Sequence, residues 1–339
     1  MSAIAQVKLD YNSLSSGANV YFYPQRWGET IDHAESIDGG LTTVAKAATP
    51  KGEVLTLLTN GKFQGNDALG GEMQAQVGFA LAPLLHQERR ERALVIGYGT
   101  GVTTRVFHAA GFKQVEVAEL SGDVARLADQ HFGSVNKRVS QGPGVTMRIT
   151  DGRNLLLLSP DRYDIISLEI SSIWFAGAAS LYNQEFYRLA CAKMQPDGVL
   201  QQWMQMHRLS ALDILAIIAS LRAEFRHVSL YLIGSQGILV ATNAAERAAP
   251  VAAAMRALKD SAGLAEVMRI VDRTPEALAQ DRLLDPDGVD RFLTGVGIEP
   301  RVWVSTDDNL RLEYDTPRAN VNDASQSFAD NKALLERYR

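Results

Sequence analysis

Hydrophobic and polar positions change their spacing near Arg92. Before that point TTVAKAAT (42–49) and EVLTLLT (53–59) are β-rich runs, separated by the turn formers Pro50, Lys51 and Gly52. Asn60-Gly61 then supplies the two-residue signal of a type I′ hairpin, with KFQ returning after it. Together these predict a small antiparallel module over about 40–66. Residues 72–86, EMQAQVGFALAPLLH, read as a helix interrupted near Pro83. Residues 1 to about 40 mix Asn, Ser, Gly and Pro with isolated aromatics (Tyr21, Phe22, Tyr23, Trp27) and keep no clear period.

From Arg92 onward short apolar runs alternate with helical ones. ALVIG (93–97) reads as a buried strand, TTRVFHAAG as a helix, QVEVAEL as a strand and GDVARLADQHF as a helix. VTMRITDG and RYDIISLEI predict third and fourth strands, NQEFYRLACAKMQPDG a helix closed by glycine, and VLQQWMQM a further strand. Strands alternating with helices of about ten residues imply a doubly wound, mainly parallel sheet of Rossmann-like type. LSALDILAIIASLRAEF continues as a helix, and HVSLYLIG with GILVAT reads as the antiparallel pair that closes such a sheet. Residues 245–300 are alanine-rich and charged, hence helical, and RVWVSTDDNLRLEYDTPR (301–318) reads as extended. The implied division is an N-terminal segment with its β module over 1–70, a Rossmann-like domain over 71–245 and a C-terminal extension over 246–339.

Composition narrows the classes of function. Charged residues at 22% and hydrophobic residues at 46% are ordinary for a globular chain and exclude a disordered one. A net charge of −5, with no basic stripe, lacks the electrostatic footprint of a nucleic-acid binder. No apolar run nears the roughly 20 residues that span a bilayer, and the first residues lack a signal-peptide layout. The expectation is a cytoplasmic chain without membrane insertion. Cys191 is the one cysteine, set in apolar RLACAKM, so packing suits it better than reactivity. The six histidines show no HxH or HExxH spacing, so no metal is expected.

The candidate chemistry lies at the strand ends. Gly97-Tyr98-Gly99-Thr100-Gly101 falls between a strand and a helix, where glycines let the chain turn tightly and let a ligand approach. Its spacing is GxGxG rather than the GxGxxG of dinucleotide binders. Glu119 ends the next strand, where a carboxylate can accept both ribose hydroxyls or simply be solvated. Asp151-Gly152 ends the third, where aspartate can receive an adenine amino group or make an Asx-turn. Three such positions at successive strand ends are more specific than any one.

The order NGKFQ, VIGYGTG, VAEL, TDGR, YDIISLEISS, EFY and PDGVL resembles the spermidine synthase (polyamine aminopropyltransferase) family over roughly residues 40–240. DGRNLLLL, SLEISSIWFAG, QWMQ and TDDNLRLEY resemble more closely the spermidine-synthase-like domain that many bacteria fuse to membrane segments, which would place the chain at the cytoplasmic face of a membrane. The resemblance implies S-adenosylmethionine or its decarboxylated form as co-substrate, methylthioadenosine as a product of alkyl transfer, a role near polyamine biosynthesis, and a small-molecule acceptor bound by a homo-oligomer. It assigns Gln64 and Glu119 to the ribose and sulfonium side, Gly97, Gly99, Thr100 and Gly101 to the ligand's path, and Asp151 with Gly152 to adenine. Glu169 falls at the family's catalytic aspartate, where a carboxylate can deprotonate an attacking amine, an effect of typically ~10²–10⁴-fold; the bland alternative is a solvated loop glutamate. Glu72, Ser172, Trp174, Tyr182, Asp307 and Asp308 are candidates for the acceptor site. Asp307 and Asp308 can equally form a plain turn, and Trp203 suits core packing.

Departures from the family pattern are specific. Thr100 replaces an aspartate in the glycine loop, Ser172 replaces a second aspartate, and EMQAQ keeps only Glu72 of an acidic, tyrosine-containing segment. Putrescine, which needs carboxylates at both ends, is a poor fit. The loop aspartate would repel the carboxylate of intact S-adenosylmethionine by about 4 kcal/mol at about 4 Å and an effective dielectric near ~20. That corresponds to discrimination on the order of a thousandfold, and Thr100 removes it. Methyl transfer, cleavage or cyclisation of the nucleotide, and nucleotide sensing without turnover are the alternative readings.

Overall fold

In a computed structural model, which describes residues 9–36, 40–170, 173, 177–297 and 299–339, Asn60 and Gly61 both take left-handed backbone, with φ of 52° and 76°. That is the requirement of a type I′ turn, and it pairs Thr59 with Lys62 across the hairpin. The hairpin belongs to a four-stranded antiparallel sheet, β1 (Glu29–Glu35), β2 (Leu41–Thr49), β3 (Gly52–Thr59) and β4 (Lys62–Asn66), in that order. β1 lies in the stretch expected to have no period. Its sequence ETIDHAE alternates exposed and half-buried positions, but few are apolar, so hydrophobic spacing does not reveal the strand.

The larger sheet has eight strands: β5 (Arg92–Ile96), β6 (Gln114–Glu119), β7 (Val145–Ile149), β8 (Tyr163–Leu168), β9 (Met194–Met204), β10 (His227–Ile233), β11 (Gln236–Thr242) and β12 (Arg282–Leu284). Their spatial order is β12-β10-β11-β9-β8-β5-β6-β7. β5 pairs parallel with both β6 and β8, so the chain builds outward on one side of β5 and then returns to the other. Ligands of open α/β sheets bind at such a reversal, beyond the carboxyl ends of the strands. β8 is buried along its whole length, as expected of a central parallel strand covered on both faces. β11 runs antiparallel to β10, as the sequence predicts, and also to β9.

The helix Gly71–Leu84 is almost entirely buried, packing on β8, β9, β10 and β11 of the large sheet and touching β4 of the small one. Pro83 sits in its last turn and does not interrupt it. The helix Gln184–Lys193 ends earlier than expected, because Met194–Gly198 already belongs to β9. Residues 282–284, expected within the C-terminal extension, pair with β10 at the sheet edge. The segment 301–318, expected to be extended, instead forms the short helical turns Pro300–Trp303, Arg311–Asp315 and Thr316–Val321. Between the first two, Thr306 and Asn309 bond each other's backbone N–H with their side chains, at 3.0 and 3.1 Å. Such local bonds compete with a strand ladder and favour turns. A final helix, Ala324–Glu336, closes the chain.

Candidate active site

The glycine turn after β5 has left-handed backbone at Gly97, Gly99 and Gly101, with φ of 94°, 52° and 82°. A Cβ at Gly101 would lie 2.6 Å from the Tyr98 ring, so no larger residue fits there. Glu119, at the end of β6, braces this turn. One carboxylate oxygen accepts the Tyr98 N–H at 2.8 Å and the other accepts the Ser121 N–H at 2.9 Å. Burial raises the Glu119 pKa, and these backbone donors oppose the rise. Asp151 accepts the Asn154 N–H at 2.8 Å and caps the helix Gly152–Leu158. Gly152 has no room for a side chain, since a Cβ would meet Ile96 at 2.4 Å. Glu119 and Ile149 are register partners on neighbouring strands, and Leu120 and Ile149 stay 76% and 54% exposed. Two exposed apolar side chains therefore lie beside the two acidic strand ends.

A cavity of about 240 Å³ opens beside the turn. Gln64, Glu72, Gly99, Thr100 and Glu169 line it, with Tyr21, Phe63, Phe79 and Trp203 as aromatic walls. Gly97, Gly101, Glu119, Asp151 and Gly152 sit outside its lining, in the framework that shapes the turn and the neighbouring strand ends.

Glu169 follows β8, and its own N–H donates to Ile96 O at 2.9 Å, which fixes it beside the glycine turn. Its oxygens lie 2.9 Å from Ser167 Oγ and 3.1 Å from Thr103 Oγ1. Burial pushes its pKa up to about 8; the two hydroxyl bonds oppose this, and the nearby Glu72 charge adds to it. Ser167 Oγ also lies 2.6 Å from Gln201 Oε1, and one hydroxyl proton cannot serve both acceptors. A protonated Glu169 resolves this by donating to Ser167, which then donates to Gln201. Burial likewise pushes Glu72 up to about 7, against a bond from Gln76 Nε2 at 3.2 Å. Gln76 accepts from Thr100 Oγ1 through its other amide atom, so Thr100 and Glu72 meet through one buried glutamine.

Several expected acceptor residues stand elsewhere. Tyr182 is fully buried behind the cavity wall and donates to Trp203 O at 2.8 Å. Asp307 pairs with Arg153, two residues after Asp151, and accepts from Asn183 Nδ2 at 3.1 Å. Asp308 is exposed, and neither aspartate lines the cavity. The turn made by Thr306 and Asn309 points this segment at the helix after Asp151. Ser172 and Trp174 lie outside the described residues. Trp203 is buried in the core, as expected, and also lines the cavity, with its ring edge against Phe79 and its Nε1 donating to Gln236 at 3.0 Å.

Gln76, Thr103, Gln205, Arg208 and Gln236 line the cavity without having been singled out in the sequence, and His207 lines it with them. Gln76 carried a signal, a polar residue within an apolar helix. His207 and Arg208 lie on the loop after β9, three and four residues past its last residue, Met204. Burial pushes the His207 pKa down to about 4, and the Arg208 charge adds to the fall, so the ring is neutral at pH 7.

A mainly parallel sheet reversing at β5, with a glycine turn at the reversal and a carboxylate ending β6, defines a Rossmann-like α/β enzyme fold joined to a small antiparallel sheet. Residues 76–234 match the spermine/spermidine synthase domain. Over those residues the chain is similar to the spermine/spermidine synthase family. It is 27% identical over 171 residues to polyamine aminopropyltransferase 2 of Pseudomonas aeruginosa, covering 48% of this chain and 49% of that one. It is 30% identical over 153 residues to the polyamine aminopropyltransferase of Nitrosomonas europaea, covering 45% and 46%. The matches thus span about half the length of these curated relatives. A crystal structure of spermidine synthase in complex with the transition-state analogue AdoDATO superposes with a TM-score of 0.60 at 16% identity, covering 79% of this chain and 89% of that one. At that identity the likeness concerns the fold. Among the described residues no helix is long and apolar enough to cross a membrane.

Proposed function

We propose that this chain transfers an alkyl group from an adenosyl sulfonium nucleotide to an amine-type acceptor, with Glu169 as general base. The observation that carries the reading is Glu169 itself. It is a carboxyl fixed beside the glycine turn, facing a cavity, with a pKa lifted to about 8. A general base works best with a pKa near the operating pH.

The nucleotide would lie along the ends of β5, β6 and β7, its flat ring on Leu120 and Ile149 and its amino group toward Asp151. Glu119, which already accepts the Tyr98 and Ser121 N–H groups, would also receive the ribose hydroxyls. The sulfonium would then point past Gly99 and Thr100 into the cavity. Its positive charge lowers the Glu169 pKa on arrival, so the base is generated when it is used. The amine nitrogen attacks a carbon bonded to sulfur, and that bond breaks with its electron pair going to sulfur. A neutral thioether leaves, and the amine's surplus proton passes to Glu169. Glu72 and the aromatic walls suit a small cationic amine.

The family's own co-substrate would be decarboxylated S-adenosylmethionine, but uncharged Thr100 also admits the intact form. Product analysis tests the reading, using each nucleotide with and without a panel of amines. Methylthioadenosine formed only with an amine supports alkyl transfer. Adenosylhomocysteine would redirect it to methyl transfer, amine-independent methylthioadenosine to cleavage, and no turnover of either nucleotide would overturn it.

A further inference from the structure

Arg208 lines the same cavity as Glu72 and Glu169, on the loop that follows β9. Its guanidinium lies 5.3 Å from the Tyr21 ring centroid, and one terminal nitrogen donates to Tyr23 Oη at 3.2 Å. Its Nε is shielded from solvent and has no hydrogen-bond partner, and among the described residues no carboxylate pairs with it. A cation taken partly out of water is costly unless a counter-charge joins it.

The backbone around Arg208 is held in an unfavourable conformation. Its φ is 55°, left-handed for a residue with a long side chain, a state that persists only when the surroundings over-determine it. The C-terminal helix Ala324–Glu336 supplies that constraint. Ser327 Oγ accepts the Arg208 N–H at 2.8 Å, and buried Asn331 donates to Met206 O and Leu209 O at 3.0 and 2.9 Å. Three bonds from one helix thus clamp the loop that presents Arg208.

We propose that Arg208 recognises a substrate carboxylate, and that with Glu72 it forms a subsite for an α-amino acid group. The planar guanidinium fork matches a carboxylate, while Glu72 receives the ammonium. Two carboxyl groups on the same cavity disfavour a dianion such as phosphate. The amino acid group can belong to intact S-adenosylmethionine or to an amino acid acceptor, and Thr100, without charge, leaves either carboxylate unopposed. This inference rests on the nucleotide-binding reading above.

Two matched pairs of ligands, differing only by the carboxylate, test it: intact against decarboxylated S-adenosylmethionine, and ornithine against putrescine in the presence of methylthioadenosine. Calorimetry would compare the wild type with Arg208→Gln and Arg208→Lys, with methylthioadenosine as the carboxylate-free control. In one pair the carboxylate-bearing member should lose about 10- to 100-fold in affinity on Arg208→Gln, the scale of a lost charged hydrogen bond. Its partner and methylthioadenosine should hold within severalfold, and Arg208→Lys should fall between. The pair that responds identifies whether the nucleotide or the acceptor carries the carboxylate. Methylthioadenosine binding with neither pair responding would overturn the role of Arg208. Failure of the wild type to bind methylthioadenosine would overturn the nucleotide reading, and this inference with it.

Discussion

Glu72 and Glu169 reach one cavity from different elements, the helix Gly71–Leu84 and the end of β8, and the charge of Glu72 helps to keep Glu169 protonated. Burial is the larger cause for both. A cationic ligand entering between them relieves the burial penalty and the mutual repulsion at once.

Glu169→Gln keeps the shape of the side chain but cannot take a proton. Turnover with an amine should fall by ~10²–10⁴, while nucleotide affinity stays within severalfold. In the wild type, kcat/KM should rise with pH through about 8, the free-enzyme value, and the variant should lose that limb. Equal turnover in the two proteins would move the base to another residue, with Glu72 the next to test.

The same two groups make stability fall with pH. Their folded pKa values, about 7 and about 8, lie above the ordinary 4.5, so the unfolded chain releases these protons first. Their contribution is complete below about pH 4.5 and is lost as pH rises through about 7 and 8. Urea denaturation of the ligand-free protein across this range should show a decline that Glu169→Gln reduces. Identical slopes in both proteins would mean that Glu169 ionises normally.

Glu119→Ala should lower stability and nucleotide affinity together. It strands the N–H groups of Tyr98 and Ser121, each at a cost of about 1–3 kcal/mol, and removes the carboxylate proposed to receive the ribose hydroxyls. Thermal melting with calorimetry on methylthioadenosine would separate the two effects. A fall in melting temperature with unchanged affinity would confine Glu119 to bracing the turn.

Asp307→Asn should leave turnover within severalfold. The carboxylate is 38% exposed and is engaged by Arg153 outside the cavity, so its loss should cost on the order of 1 kcal/mol or less. A loss of turnover as large as that of Glu169→Gln would show that Asp307 reaches the acceptor during the reaction.

The order of strands and helices from Arg92 to Thr242 was legible in the chain, because parallel strands buried on both faces are apolar runs and their crossovers are helices of ordinary length. The Asn60-Gly61 hairpin and the placement of Gly97, Glu119, Asp151 and Glu169 at strand ends were legible for the same local reasons. β1 was not, since a strand with few apolar residues leaves no hydrophobic rhythm, and neither were the turns of 301–318, where side chains of Thr306 and Asn309 outcompete a ladder.

What the amino-acid order determined by itself is therefore local: which segments are strands, where they end, and which carboxylates stand there. Which of those groups share a cavity was decided only in three dimensions. Glu72 lies 97 positions from Glu169 in the chain, and the helix carrying it reaches the cavity because it packs on the large sheet beside β8 and β9. Asp307, near Asp308 in a stretch that reads as a candidate site, is carried instead to Arg153. The pKa values of Glu72 and Glu169, and the clamping of Arg208 by Ser327 and Asn331, come from burial and long-range contacts, which residue spacing along a chain does not encode.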